Sequence, residues 1–202
     1  MPYATARDKT KLHYEVTGKG TPLIFVHEFS GDARSWEAQL RFFARRYRCI
    51  AFNARGYPPS DVPGARSKYS WRIAVDDVAD VLRHLHIRKA HVVGCSMGAY
   101  TALQFGLRYP AMALSVTALA AGAGSDPDTR KRFLQATETH ARLFETAGTR
   151  AALRERGLSA GRIPLMKKDP RGFAEFRSVH ESHSGIGLAG VLRGVQAKRP
   201  PV

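Results

Sequence analysis

Gly94-Cys95-Ser96-Met97-Gly98 is the stretch of this sequence best suited to nucleophilic chemistry. A serine hydroxyl becomes an effective nucleophile when the backbone holds it out into an open site, and a G-x-S-x-G turn between a strand and a helix does this. The context fits that turn. The apolar run His91-Val92-Val93 leads into it, and residues 99–109, rich in Ala and Leu, read as a helix that Pro110 ends. Glycines are required at both flanks because a β-carbon there would collide with the neighbouring strand and helix, while the serine itself sits in a strained conformation. Cys95 falls on the strand side of the turn, so Ser96 is the expected nucleophile.

The elements that must position this serine are legible as alternating periods. Residues 23–26, 49–52, 91–93 and 112–121 are apolar runs of strand length, as expected for strands buried on both faces. Between them, Trp36, Leu40 and Phe43 recur at helical spacing, and a helix capped by Ser70 presents Ala74, Val75, Val78, Val81, Leu82 and Leu85 as one stripe. A hairpin of residues 3–7 and 11–17, turning at Asp8-Lys9-Thr10, precedes them. Strands alternating with helices predict an α/β fold with a mostly parallel sheet, and such sheets place ligands at the carboxyl ends of their strands, where Ser96 falls. From Thr129 the texture is helical (129–147, 150–156, 172–196), with no further strand. The chain is therefore divided into a core, residues 1–125, and a helical cap region, residues 126–202.

Two further loops make the pattern specific. His27-Glu28-Phe29-Ser30-Gly31 follows the first parallel strand, and Asn53-x-Arg55-Gly56-x-x-x-Ser60 follows the second. With the turn at Ser96, their order and spacing resemble the α/β-hydrolase superfamily of the serine-nucleophile, cap-containing kind, whose loops read H-G-x-x-G and D-x-R-G-x-G-x-S. The resemblance spans residues 3–121 and, less specifically, the cap region. It implies an α/β-hydrolase fold with flanking helices, incomplete at the C-terminus. It also implies that the backbone N–H groups of Phe29 and Met97 form an oxyanion hole, that His27 orients its loop, and that Gly94 and Gly98 support the turn. Glu28 departs from the pattern, because it stands where the family has glycine and a carboxylate facing a developing oxyanion would oppose it. Relatives that open epoxides or displace halide use aspartate at the nucleophile position. Serine there points instead to esters, thioesters, lactones, carbon-carbon bonds or perhydrolysis.

In this family the triad follows the order serine, acid, histidine, with the acid after a later strand and the histidine after the last. Neither segment is recognisable before Val202, so the chain reads as truncated, and the strand at 112–121 becomes an apolar edge that invites self-association. Asp126 and Asp128, after the fourth parallel strand, are the candidate acids. His140, His180 and His183 fall on predicted helices, where a lone histidine is more often a surface or packing residue. Ser178, Ser182, His183 and Ser184 offer a polar lining for a substrate pocket.

Composition narrows the rest. The net charge of +15, from 32 Lys and Arg against 17 Asp and Glu, is scattered (Arg45, Arg46, Arg48; Arg130, Lys131, Arg132; Lys167, Lys168) without interleaved aromatics. It reads as a basic surface rather than a nucleic-acid site. Cys49 and Cys95 lie in strand-like runs with neither disulfide nor metal-ligand spacing. No apolar stretch approaches the roughly 20 residues of a membrane span, and the start has no signal-peptide core. The expectation is a cytoplasmic serine hydrolase, with no metal or organic cofactor, that cleaves an ester or related small acyl substrate through a Ser96 acyl-enzyme. Carbon-carbon bond hydrolysis and a catalytically silent, ligand-binding relative are the alternatives.

Overall fold

Six strands form one sheet in the order β1-β2-β4-β3-β5-β6. The computed structural model describes residues 2–156 and 162–201; residues 157–161 of the assigned cap region, with Met1 and Val202, lie outside them. The hairpin expected at the start is present, with β1 (Tyr3–Thr5) antiparallel to β2 (Lys11–Thr17). β2 then runs antiparallel to β4 (Tyr47–Phe52), while β4, β3 (Thr21–Val26), β5 (Ala90–Cys95) and β6 (Ala113–Leu119) are mutually parallel.

Alternation along these strands explains the layers, because successive side chains leave a strand on opposite faces. Leu23, Phe25, Cys49 and Ala51 point to the face covered by Trp36, in a 3-10 turn (Ala33–Trp36), and by Leu40 of α1 (Glu37–Phe43). Ile24, Val26, Ile50, Phe52 and Val92 point to the other face. There they meet Val75, Val78, Val81 and Leu82 of α2 (Trp71–His84) and Ala102 and Phe105 of α3 (Met97–Arg108). Both faces are thus filled, as a parallel sheet requires. β6 is the exception: it forms the edge, contains no fully buried residue, and leaves Leu114 and Leu119 each 45% exposed.

Beyond β6 the described chain is helical. The predicted helices at 129–147 and 150–156 are two arms of α4 (Pro127–Arg156), kinked at Gly148, where φ is +76°. A short helix, α5 (Ile163–Lys168), has too few residues to show a period. The helical stretch expected over 172–196 is resolved into α6 (Pro170–Glu181), α7 (Gly185–Val191) and a π-helical turn, Leu192–Gln196. The break falls where the Ser184 hydroxyl accepts the Gly187 N–H at 3.3 Å and so caps a new helix. Phe144 and Ala141 of α4 and Leu188, Val191 and Leu192 pack on Tyr57, Tyr69 and Met97. The helical segment therefore sits over loops at the carboxyl side of the sheet. Among the described residues no helix is long and apolar enough to cross a membrane.

Candidate active site

Ser96 joins β5 directly to α3 with φ +51° and ψ −109°, a region that side-chain-bearing residues avoid. The local packing enforces this conformation. A β-carbon on Gly98 would lie 2.1 Å from the Val26 carbonyl oxygen, and one on Gly94 would lie 2.1 Å from that of Gly98. The first turn of α3 is thereby seated against the end of β3, where the loop containing His27 begins. The Ser96 N–H donates to the Leu119 carbonyl at 2.8 Å, which ties the turn to β6 as well. Ser96 remains partly exposed while Met97 and Gly98 are buried.

The loop after β3 is held from both sides of Phe29. His27 is fully buried; its Nε2 accepts the Ala54 N–H at 3.1 Å, so its Nδ1 carries the proton and donates to the Glu28 carbonyl at 2.8 Å. That carbonyl belongs to the same peptide plane as the Phe29 N–H, so the imidazole fixes the direction of that donor. Burial pushes the His27 pKa below its ordinary value, in keeping with the neutral ring. The next peptide is held by the Tyr57 hydroxyl, which donates to the Phe29 carbonyl at 3.0 Å. The Glu28 carboxylate accepts the Ser35 hydroxyl at 3.2 Å and occupies the space beside Gly31 that a β-carbon would fill.

The loop after β4 is a scaffold. Asn53 accepts the Ala33 N–H at 3.0 Å through Oδ1 and donates to the Pro58 carbonyl at 2.8 Å. Ser60 donates to the Asn53 carbonyl at 2.7 Å and accepts the His13 N–H at 2.8 Å. Arg55 is buried and clamps Asp77 with two bonds of 2.8 and 2.7 Å, then reaches Asp8 at 2.9 Å. Asn53 thereby ties this loop to the one after β3, while Ser60 and Arg55 anchor it to β2, α2 and the β1–β2 turn.

Comparison with known proteins agrees with this fold. A family model described as alpha/beta hydrolase fold matches residues 21–167. This chain belongs to the alpha/beta hydrolase fold family. Epoxide hydrolase 1 of Caenorhabditis elegans is 39% identical over 106 residues, 52% of this hydrolase-family chain but 26% of that protein. The putative carbamate hydrolase RutD of Azorhizobium caulinodans is 30% identical over 191 residues, 94% of this chain and 66% of that protein. Among solved structures, the enol-lactonase of Burkholderia xenovorans LB400 superposes with a TM-score of 0.76 at 23% identity, covering 94% of this chain and 71% of that one. A thermophilic esterase from Thermogutta terrifontis superposes at 0.81 with 24% identity, covering 99% and 73%.

Within this alpha/beta hydrolase fold the candidate acids Asp126 and Asp128 lie at the start of α4. Asp126 caps α4, accepting the Asp128 N–H at 3.0 Å and the Thr129 hydroxyl at 3.1 Å, and both aspartates are exposed. Ser182 and Ser184 serve the α6–α7 junction: Ser182 donates to Val179 at 2.7 Å, Ser184 caps α7, and Ser178 is exposed. His140 is half-buried on α4, whereas His180 and His183 are buried, and His180 packs near the rings of Phe29 and Phe144 at 6.1 and 6.3 Å. His183 lies 3.2 Å from the carboxylate of buried Asp32. Burial raises the Asp32 pKa, but hydrogen bonds from His183 and Arg34 outweigh it and hold the carboxyl well below the usual range. Asp32 is thus ionised, and His183 Nε2 must be the donor. Asp32 carries a sequence signal only as a helix cap, and nothing local points to a histidine 151 residues away. Among the described residues no three His, Cys, Asp or Glu side chains gather as metal ligands would.

Proposed function

We propose that this chain bears the nucleophile of a hydrolase that cleaves an ester or related acyl substrate through a covalent intermediate on Ser96. One observation carries the reading: Ser96 holds φ +51° at a strand-to-helix turn whose flanking glycines leave no room for a β-carbon. Strain of this kind costs on the order of 1–3 kcal/mol and persists where it presents a functional group. Serine at this position, rather than the aspartate of epoxide-opening relatives, favours acyl chemistry. In the proposed reaction the Ser96 hydroxyl attacks the substrate carbonyl, and the oxygen takes the negative charge. The N–H groups of Phe29 and Met97 receive that oxyanion. Collapse expels the leaving group, and water then releases the acyl group from Ser96. The family's order of serine, acid and histidine supplies the group that takes the serine proton. His27, committed at both nitrogens, serves its loop. The helices α4–α7 act as a cap that roofs the site and selects a small substrate in the cytoplasm, with no cofactor.

A fluorophosphonate probe followed by peptide mass mapping tests the proposal. Label is expected on Ser96, with a burst of nitrophenol from a short-chain nitrophenyl ester. Equal burst and labelling in Ser96→Ala would refute it.

A further inference from the structure

The described histidines include one that the proposed reaction does not use and that is shielded from water. The His183 side chain has no exposed surface, and neither has Asp32 beyond 1%. His183 lies between α6 and α7, more than 150 residues from its partner, so the pair joins the helical segment to the loop that contains Phe29. Burying such a pair is costly unless both members are satisfied, and Asp32 is satisfied several times over: it also accepts the Arg34 N–H at 2.9 Å and the Arg34 guanidinium at 2.6 Å. His183 is held at Nε2 by that carboxylate and at its backbone carbonyl, which accepts the Thr149 hydroxyl at 2.7 Å, while its buried Nδ1 has no hydrogen-bond partner among the described residues. Its ring meets Tyr57 edge-on at 5.0 Å, and Tyr57 also meets His27 edge-on at 4.5 Å. Tyr57 thus contacts both imidazoles while its hydroxyl holds the Phe29 carbonyl.

We propose that His183 is a positioning residue of the helical segment that, through Asp32 and Tyr57, fixes the loop around Phe29, whose N–H is to receive the oxyanion. The inference rests on the hydrolase reading for its catalytic meaning, but the geometry it asserts is measurable without turnover. Two routes lead from one ring to the loop around Phe29: the carboxylate three residues further along it, and the phenol bonded to the Phe29 carbonyl, in the peptide that follows the one bearing the Phe29 N–H. Seating of the helical segment is thereby linked to assembly of the anion site.

His183→Leu removes the donor and keeps the bulk, whereas His183→Gln offers an amide N–H in place of Nε2–H. A donor displaced rather than deleted should cost about 10- to 100-fold. In His183→Leu, kcat for a nitrophenyl ester and the rate of fluorophosphonate labelling should each fall by about that factor. KM should change less than about twofold, the pattern of an interaction made chiefly in the transition state. Amide hydrogen exchange over residues 28–33 should quicken in the Leu variant, and His183→Gln should recover most of both losses. Asp32→Asn, which keeps the volume, repeats the test from the other end of the pair. A His183→Leu protein with wild-type kcat and a raised KM, unchanged exchange over 28–33, or a Gln variant as impaired as Leu would overturn the assignment. A wild type that never labels at Ser96, but whose exchange responds as described, would instead defeat the hydrolase reading and leave the positioning role intact.

Discussion

Gly98→Ala and Gly106→Ala place the same methyl group on the same helix, α3, and should differ by about 2 kcal/mol. Alanine favours helix over glycine by up to about 1 kcal/mol at either site. At Gly106 the added carbon meets only Val116 Cγ2, at 2.9 Å, a side chain on the half-exposed edge strand that can turn aside. The gain and the clash nearly cancel there. At Gly98 the added carbon would stand 2.1 Å from the Val26 oxygen, 2.6 Å from the Val26 carbonyl carbon and 2.7 Å from the His27 oxygen. All three are backbone atoms of β3 and its loop, so the contact is relieved only by moving the elbow away from the sheet. Overpacking costs about 1–3 kcal/mol, and a rigid contact belongs at the top of that range. Urea unfolding should show Gly98→Ala lower by about 2 kcal/mol with an unchanged m-value, or a Tm lower by roughly 4–8 °C. Labelling of Ser96 should fall about 100-fold, since the same movement separates Met97 from the Phe29 loop. If Gly98→Ala unfolds within about 0.5 kcal/mol of Gly106→Ala, the steric account of the elbow is wrong.

Other perturbations follow from the same structure. Arg55→Met should destabilise the fold by about 3–5 kcal/mol in urea titration, because it leaves the Asp77 carboxylate buried without its cation; adding Asp77→Leu should restore part of the loss. Tyr57→Phe removes the bond to the Phe29 carbonyl and should cost about 1 kcal/mol in unfolding while lowering kcat more than it changes KM. Asp32 is pushed up by burial but drawn down further by His183 and Arg34, so its ionised form favours the fold. That stabilisation is complete above the unfolded value of about 3.9 and fades as pH drops from there toward the lower folded value. Thermal melts between pH 5 and 2 should therefore show Asp32→Asn losing Tm less steeply than wild type. A residual slope should remain, because Arg55 holds Asp8 low as well.

The sheet and the elbow are readable from the chain because they rest on local rules. Apolar runs at 23–26 and 49–52 are buried on two faces, and the glycines at 94 and 98 sit where a β-carbon would press on backbone. What local rules miss is pairing at long range. His183 looks like any histidine on a polar helix until folding brings it to Asp32. Asp126 carries a signal of a different kind, since an aspartate followed by proline marks a helix start, and the exposed carboxylate does that work. The break at residues 182–184 hides under an apolar stripe that continues on both sides, and only the Ser184 cap reveals it. Glu28, at odds with the family pattern, is accommodated by the empty side of Gly31 and by Ser35.

The amide of Ser96 hangs from Leu119, the last residue of the border strand. Border strands fray first, for they are laced along one margin alone. Whatever pairs with the margin of β6 would steady the Ser96 amide, and whatever peels that strand away would unhook it.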